Sequence, residues 1–183
     1  MAVLEGANVR LRPLTPDDRE EVFGWYNDPE LVAPFDRYSQ ETFEEFCRSL
    51  ESAPDDPTSL APRFAIERRA DGLTVGVLGH YRAHPVLEYL DVWYVVGHPA
   101  ARGQGAGSES VGLLVDHLFR TETVERIGAT CDVANLPSAR LLEKVGFRRE
   151  GTLRSALFHH GRWHDVHVYG ITRSDPRPAR PPA

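Results

Sequence analysis

The chain has 183 residues, 41% hydrophobic and 26% charged, which suffices for one domain with a full core and excludes disorder of the whole. A net charge of −6 offers nothing to a polyanion, so nucleic acid is excluded as a partner, and no apolar run reaches the length of a membrane span. The opening Met1–Glu5 lacks the basic-then-apolar pattern of a leader, which makes the cytoplasm the expected compartment.

Val9 to Leu14 alternates apolar and polar residues and is predicted as a half-buried strand. Thr15-Pro16-Asp17-Asp18 then starts a helix, with a hydroxyl cap, a first-turn proline and acids at the positive end of the dipole. It should run to about Trp25. Ser39 is the expected cap of a second helix whose Phe43, Phe46, Cys47 and Leu50 share one face. Ala53 to Pro62, rich in proline and aspartate, is a loop. Strands follow at Arg63 to Arg68 and Val75 to His84, joined by the turn signal Ala70-Asp71-Gly72, and then at Glu88 to Val96. A glycine-rich turn leads into a helix over Ala106 to Arg120. Arg126 to Val133 is a buried strand, Ser138 to Val145 a short helix closed by Gly146, and Arg148 to Phe158 pairs with Trp163 to Thr172. The order is that of a mixed α/β (α+β) sheet in one domain over residues 1–173. Residues 174–183, polar and proline-rich, are predicted as a flexible tail.

Strand, Arg102-Gly103-Gln104-Gly105-Ala106-Gly107, helix is the pattern of an anion cradle. Glycines let successive backbone N–H groups converge on phosphate oxygens, a helix N-terminus adds positive partial charge, and Arg102 can add a charge-assisted hydrogen bond. A Walker loop would need a lysine followed by Ser or Thr, where Gly107 is followed by Ser108-Glu109; a dinucleotide fingerprint would need Gly-x-Gly-x-x-Gly early in a βαβ unit. A plain glycine-rich connector is the bland alternative.

Several segments together resemble the GNAT superfamily of N-acetyltransferases, and within it the RimJ/RimL-like branch. His98 to Gly107 resembles its acetyl-CoA motif and Asn135 to Phe147 its second cofactor motif. Glu150 to Arg154, Gly161 to Val166, Leu11 to Leu14 and Asn27 to Glu30 fit the same branch, so the likeness covers Val9 to Thr172. It implies a centrally splayed sheet flanked by helices. It also implies acetyl-CoA as co-substrate, bound by the Arg102 to Ser108 turn, with the pyrophosphate on the backbone of Gln104 to Gly107 and the pantetheine paired like an extra strand beside Val95 and Val96. Asn135 would bond the pantetheine arm, and Ser138 would protonate the leaving thiolate; otherwise Ser138 is a plain helix cap.

Direct attack on a thioester requires a neutral amine, hence a general base. The branch often carries a glutamate where this chain has Val92 or Leu157. Asp91 is the first candidate in their place, an acid in an apolar and aromatic strand, with Glu88, His159 and His160 behind it; two histidines at a turn are expected to be exposed. The histidines from His159 to His167 lack a helical His-x-x-x-His or a cysteine partner, so no metal is expected. Neither Cys47 nor Cys131 has an activating context, which excludes an acyl-enzyme. Loop residues 32–38 and the aromatics Trp25, Tyr26, Phe35, Tyr38, Tyr81 and Trp93 are the expected acceptor pocket. The acceptor is a primary amine, on a small molecule or a protein N-terminus. The rival is a non-catalytic acyl-CoA-binding or self-association domain of the same fold, and a homodimer is the assembly to test.

Overall fold

In the computed structural model, which describes residues 3–28, 31, 42–52, 59 and 62–178, eight strands form one sheet in the order β1-β2-β3-β4-β5-β6-β8-β7. These are β1 (Leu4–Glu5), β2 (Val9–Arg12), β3 (Phe64–Arg68), β4 (Thr74–Tyr81), β5 (Leu90–Val95), β6 (Arg126–Asp132), β7 (Arg148–His159) and β8 (Arg162–Thr172). The helices are α1 (Arg19–Asn27), α2 (Phe43–Ser52), α3 (Ala106–Thr121) and α4 (Leu136–Val145), with short 3₁₀ turns at Pro16–Asp18 and Pro99–Ala101. Every strand pair is antiparallel except β5 and β6.

That one parallel pair is short. Leu90 faces Ile127 and Asp91 faces Gly128, and there the pairing ends, although both strands continue. Beyond this point β5 and β6 diverge into a wedge that opens toward their C-terminal ends. Alternation along β5 sends Leu90, Val92, Tyr94 and Val96 into the core under α3 and α4, and sends Trp93 and Val95 toward α1 and α2. The larger core joins Leu11, Ile66, Leu114, Leu118, Ile127 and Ile171, all buried.

Local sequence explains most element ends. The first helix begins as a 3₁₀ turn because Thr15 and Asp18 form a reciprocal capping box around Pro16. The expected cap Ser39 lies outside the described residues; Thr42 takes that role for α2, its N–H and hydroxyl both bonding Glu45 Oε2 at 2.8 Å. β4 stops at Tyr81 and β5 starts at Leu90, later than predicted, with residues 82–88 exposed between them. The short β1 has no signal in its sequence beyond one apolar residue and is held by pairing with β2.

One expectation is corrected. Helix α4 begins at Leu136, with Asn135 as the cap whose Oδ1 accepts the Ser138 N–H at 3.1 Å, so Ser138 stands inside the first turn rather than before it. Of the segment 174–183, residues 174–178 lie against the domain, and residues 179–183 fall outside the described residues. Asp175 Oδ2 accepts the Thr172 N–H at 2.8 Å, and Arg177 pairs with Asp116 while lying over the Phe119 ring. Alternating charged residues among the prolines give that segment partners on α3 that its composition alone conceals. No helix among the described residues is long and apolar enough to cross a membrane.

Candidate active site

The glycine turn sits where β5 ends, at the open mouth of the wedge. Gly103 and Gly105 both have positive φ, at 72° and 87°, and a Cβ added to either would meet nothing within 4 Å. Their freedom from side chains leaves the approach to the first turn of α3 clear, and Gly105 caps that helix in the left-handed conformation. The first-turn N–H groups of Ala106, Gly107 and Ser108 have no acceptor within the helix itself. These two observations fit a pyrophosphate: open space and converging donors.

The other members of the motif do different work. Arg102 turns inward, its Nη2 donating to Gly97 O at 2.7 Å and its Nε to Val96 O at 3.2 Å, so the guanidinium braces the end of β5 and does not project into the cradle. Ser108 Oγ donates back to Gly105 O at 3.0 Å. A Cβ on Gly107 would stand 2.7 Å from Leu141 Cδ1 and 3.1 Å from Val96 Cγ2, so this glycine serves the packing of α3 against α4 and β5.

Across the wedge, Tyr94 from β5 reaches Ser138 on α4, with 2.7 Å between the two hydroxyl oxygens. Burial drives the Tyr94 hydroxyl well above its ordinary range against the opposing hydrogen bond from Ser138. Burial also lifts the thiol of Cys131 on β6, against the opposing influence of Ser138. Ser138 is thus held by Tyr94 of β5 and by its own cap Asn135. Tyr94 has no place among the predicted site residues, although its parity with Val92 and Val96 puts it on the α4 face.

Asp91 occupies the last paired rung before the strands part. Its side chain lies flat over Gly128, where any Cβ would collide with Oδ1, and it is half-buried on the face opposite α3 and α4. Burial raises its carboxyl above the ordinary carboxylate range, against the attraction of Arg126. Val92 is buried and apolar, as expected from its place in the strand. Glu88 and His160 are exposed. Of the expected aromatic pocket, Phe35 and Tyr38 lie outside the described residues, with the rest of the loop at 32–38. Trp25 packs beneath Gly97 in the core, and Tyr26 lies within ring-contact distance of Phe46 and Trp93. Burial pushes the Tyr81 hydroxyl up to about 12.

His159 departs from its expectation. It is 4% exposed, not a solvated turn residue, because the two-residue turn at His160-Gly161 leaves it paired with Arg162 at the end of the ladder. With His164 it converges on Asp132, the last residue of β6. His159 Nε2 lies 2.7 Å and His164 Nδ1 2.9 Å from the same carboxylate oxygen, Oδ2, while Oδ1 accepts the Ala134 N–H at 2.6 Å. Burial pushes the Asp132 carboxyl up, but the Ala134 N–H and His159 outweigh it and hold the group below its usual range. The three donor atoms are close enough to raise the question of a metal ion. The rings, however, are stacked with centroids 3.5 Å apart, whereas two imidazoles on one tetrahedral zinc, at the usual bond lengths, hold their centroids about 5 Å apart. The arrangement is that of one imidazole hydrogen-bonded to the carboxylate, with a second stacked on it at ion-pair distance from the same oxygen. Asp132 escaped notice in the sequence because a single acid closing an apolar strand carries no spacing signal.

An Acetyltransferase (GNAT) domain matches residues 8–148. The chain belongs to the GNAT family of acetyltransferases. It is 27% identical over 172 residues to the N-acetyltransferase YoaA of Bacillus subtilis, covering 93% of this chain and 97% of that one. It is 31% identical over 170 residues to a phosphinothricin N-acetyltransferase of Streptomyces coelicolor, covering 89% and 95%. Among solved structures, RimJ of Mycobacterium smegmatis in complex with CoA-disulfide aligns with a TM-score of 0.74 and 27% identity over 93% of this chain and 84% of that one. The GNAT protein described here is an N-acetyltransferase, and its mixed, centrally splayed sheet is the one the resemblance implied.

Proposed function

We propose that this chain moves an acetyl group from acetyl-CoA to a primary amine by direct attack, as a member of the RimJ/RimL-like branch. The observation that carries the reading is the wedge itself: an unpaired stretch of two parallel strands, with an open glycine turn at its mouth and a fixed hydroxyl pair across it. The backbone from Gln104 to Ser108 would take the pyrophosphate. The free edge at Val95 and Val96 offers the pantetheine amides a strand to pair with, and Asn135, whose Oδ1 is engaged by Ser138 N–H, keeps its amide Nδ2 for the same arm. Arg102 acts in this scheme through the backbone it braces.

Ser138 stands in the first turn of α4 with Tyr94 as its hydroxyl partner, so a proton delivered to a leaving thiolate can be replaced from Tyr94. Asp91, raised by burial, is the group that takes the proton from the attacking amine. Both assignments place the acceptor on the sheet face that carries Asp91 and the donor on the helix side. The similarity to a CoA-bound RimJ supports the donor; the likeness to the phosphinothricin enzyme keeps small-molecule amines beside protein N-termini as acceptors.

The test is a replacement at the cradle. Gly105→Trp places a large side chain in the left-handed position that now faces open space, and calorimetric binding of acetyl-CoA should be lost with the fold intact by circular dichroism; unchanged affinity refutes the cradle. Ser138→Ala should lower kcat by roughly 10²-fold with little change in acetyl-CoA binding, measured by thiol release with an amine library.

A further inference from the structure

We propose that the Asp132–His159–His164 cluster is a recognition subsite for a second N–H donor on the acceptor, set along the sheet face from Asp91. The inference rests on the acetyl-transfer reading above for the position of the reacting amine, and on the cluster's own hydrogen bonds for the rest.

The protons of the cluster can be assigned from its donors. Arg162 Nε lies 3.1 Å from His164 Nε2, and a guanidinium can only donate, so His164 accepts there and carries its proton on Nδ1, toward Asp132. Asp132 Oδ2 accepts from His159 Nε2 at 2.7 Å, so the His159 proton is on Nε2, while His164 Nδ1 stands 2.9 Å from the same oxygen as an ion-pair contact. That leaves His159 Nδ1 as a buried nitrogen with no hydrogen-bond partner. With the ring proton on Nε2, the Nδ1 position carries a lone pair. His159 Nδ1 is therefore the one ring nitrogen of the cluster buried without a partner, an open acceptor. A neutral or cationic N–H group is the chemistry that completes it.

Register fixes where this position lies. Asp91 pairs with Gly128, and alternation along β6 puts Gly128, Thr130 and Asp132 on one face. From Gly128 to Asp132 is four strand residues, roughly 13 Å. Thr130, midway, is exposed, so the path between the two ends is not filled by a core side chain. An acceptor with its reacting amine at Asp91 would meet His159 with a second N–H group farther along its chain. Two sources share that chemistry, a second amine on a small molecule and a backbone amide of a peptide.

The experiment compares straight-chain α,ω-diamines with monoamines of the same length, and dipeptide amides with the corresponding amino-acid esters, in the wild type, His159→Phe and Thr130→Trp. The wild type should prefer the member bearing the second N–H group by about tenfold in kcat/KM, the worth of one recovered buried hydrogen bond. Whichever pair shows the preference identifies the source. His159→Phe keeps the ring and removes the lone pair, and should abolish the preference through KM with kcat retained. Thr130→Trp, an exposed change that the fold tolerates, should block the path and do the same. Equal kcat/KM within both pairs, or a preference that survives both substitutions, overturns the subsite. Calorimetry of the diamines and dipeptide amides separates this outcome from failure of acetyl transfer. Binding that weakens about tenfold in His159→Phe, without turnover by the wild type, upholds the subsite and sinks only the assigned reaction.

Discussion

Two buried polar clusters stand at opposite ends of the sheet, and they differ in one respect. Near the N-terminus, Arg12 donates to both oxygens of Asp18 at 2.8 Å, to Glu67 at 2.6 Å and to Thr74 at 2.8 Å, while the Thr15 N–H and the Thr74 hydroxyl fill the rest of Asp18. There the side chains of Arg12, Asp18 and Thr74 are used to saturation, and the unpartnered nitrogen lies outside them, on Arg10, which pairs with the far oxygen of Glu67. Around Asp132 the same completeness holds for the carboxylate but not for His159 Nδ1. A saturated network fixes a fold, here the docking of the Pro16–Asp18 turn against β2, β3 and β4. A network with one vacancy fixes a fold and holds a place for something else.

The largest effect expected from breaking this contrast is at the saturated end. Asp18→Ala strands Arg12 among buried groups and should cost about 3–5 kcal/mol in urea denaturation. The pH dependence has a definite sign. Burial pushes the Asp18 carboxyl up, but Arg12 and the Thr15 N–H hold it far below the ordinary range. Its contribution is therefore complete above about pH 4, the unfolded-chain value, and is lost as the pH falls below that. The acid limb of the stability curve should flatten in Asp18→Ala; an unaltered limb would show that the network contributes nothing to it.

Asp132→Asn should cost less, about 1–3 kcal/mol, because the amide keeps an acceptor for Ala134 yet turns an NH₂ toward two imidazole N–H groups. One histidine must then switch its proton to the other nitrogen, and nitrogen-detected NMR of the imidazoles should report the switch. If both keep their wild-type tautomers, the proton assignment is wrong.

Asp91→Asn should do the least to the fold. Its carboxyl is raised, so ionisation opposes folding at neutral pH and the penalty is relieved as the pH falls, the reverse of Asp18. The variant should lie within about 1 kcal/mol of the wild type, on the more stable side, while kcat for amine acetylation drops by about 10²-fold. A variant that is both destabilised and fully active would remove Asp91 from the proposed chemistry.

What the sequence made legible was local. The glycine turn, the helix over residues 106–120 and the paired strands at the C-terminus could be read from spacing, because each depends on residues within a few positions of one another. The Asp132 cluster depends on residues 27 positions apart joined by strand register, and no periodicity reports that. His159 was misplaced for a related reason: a residue beside a turn is exposed on average, but a two-residue turn lets the ladder continue to its last rung. Arg102 shows the limit of motif reading. Its guanidinium turns back to Val96 and Gly97, and nothing in the string tells whether an arginine points at a ligand or at the carbonyls of its own strand.

The parallel contact between β5 and β6 has a mechanical consequence. Among the described residues, two rungs, at Leu90–Ile127 and Asp91–Gly128, are the ladder that links β1 through β5 to β6 through β8. The sheet is in effect two plates on a narrow hinge, with the edge of β5 from Val92 onward unmatched on the side facing β6. A molecule that supplies hydrogen bonds to that edge stiffens the hinge as it binds. Occupancy of the wedge and rigidity of the molecule are then one variable, and protection of the Val95 and Val96 amides from hydrogen exchange would measure both at once.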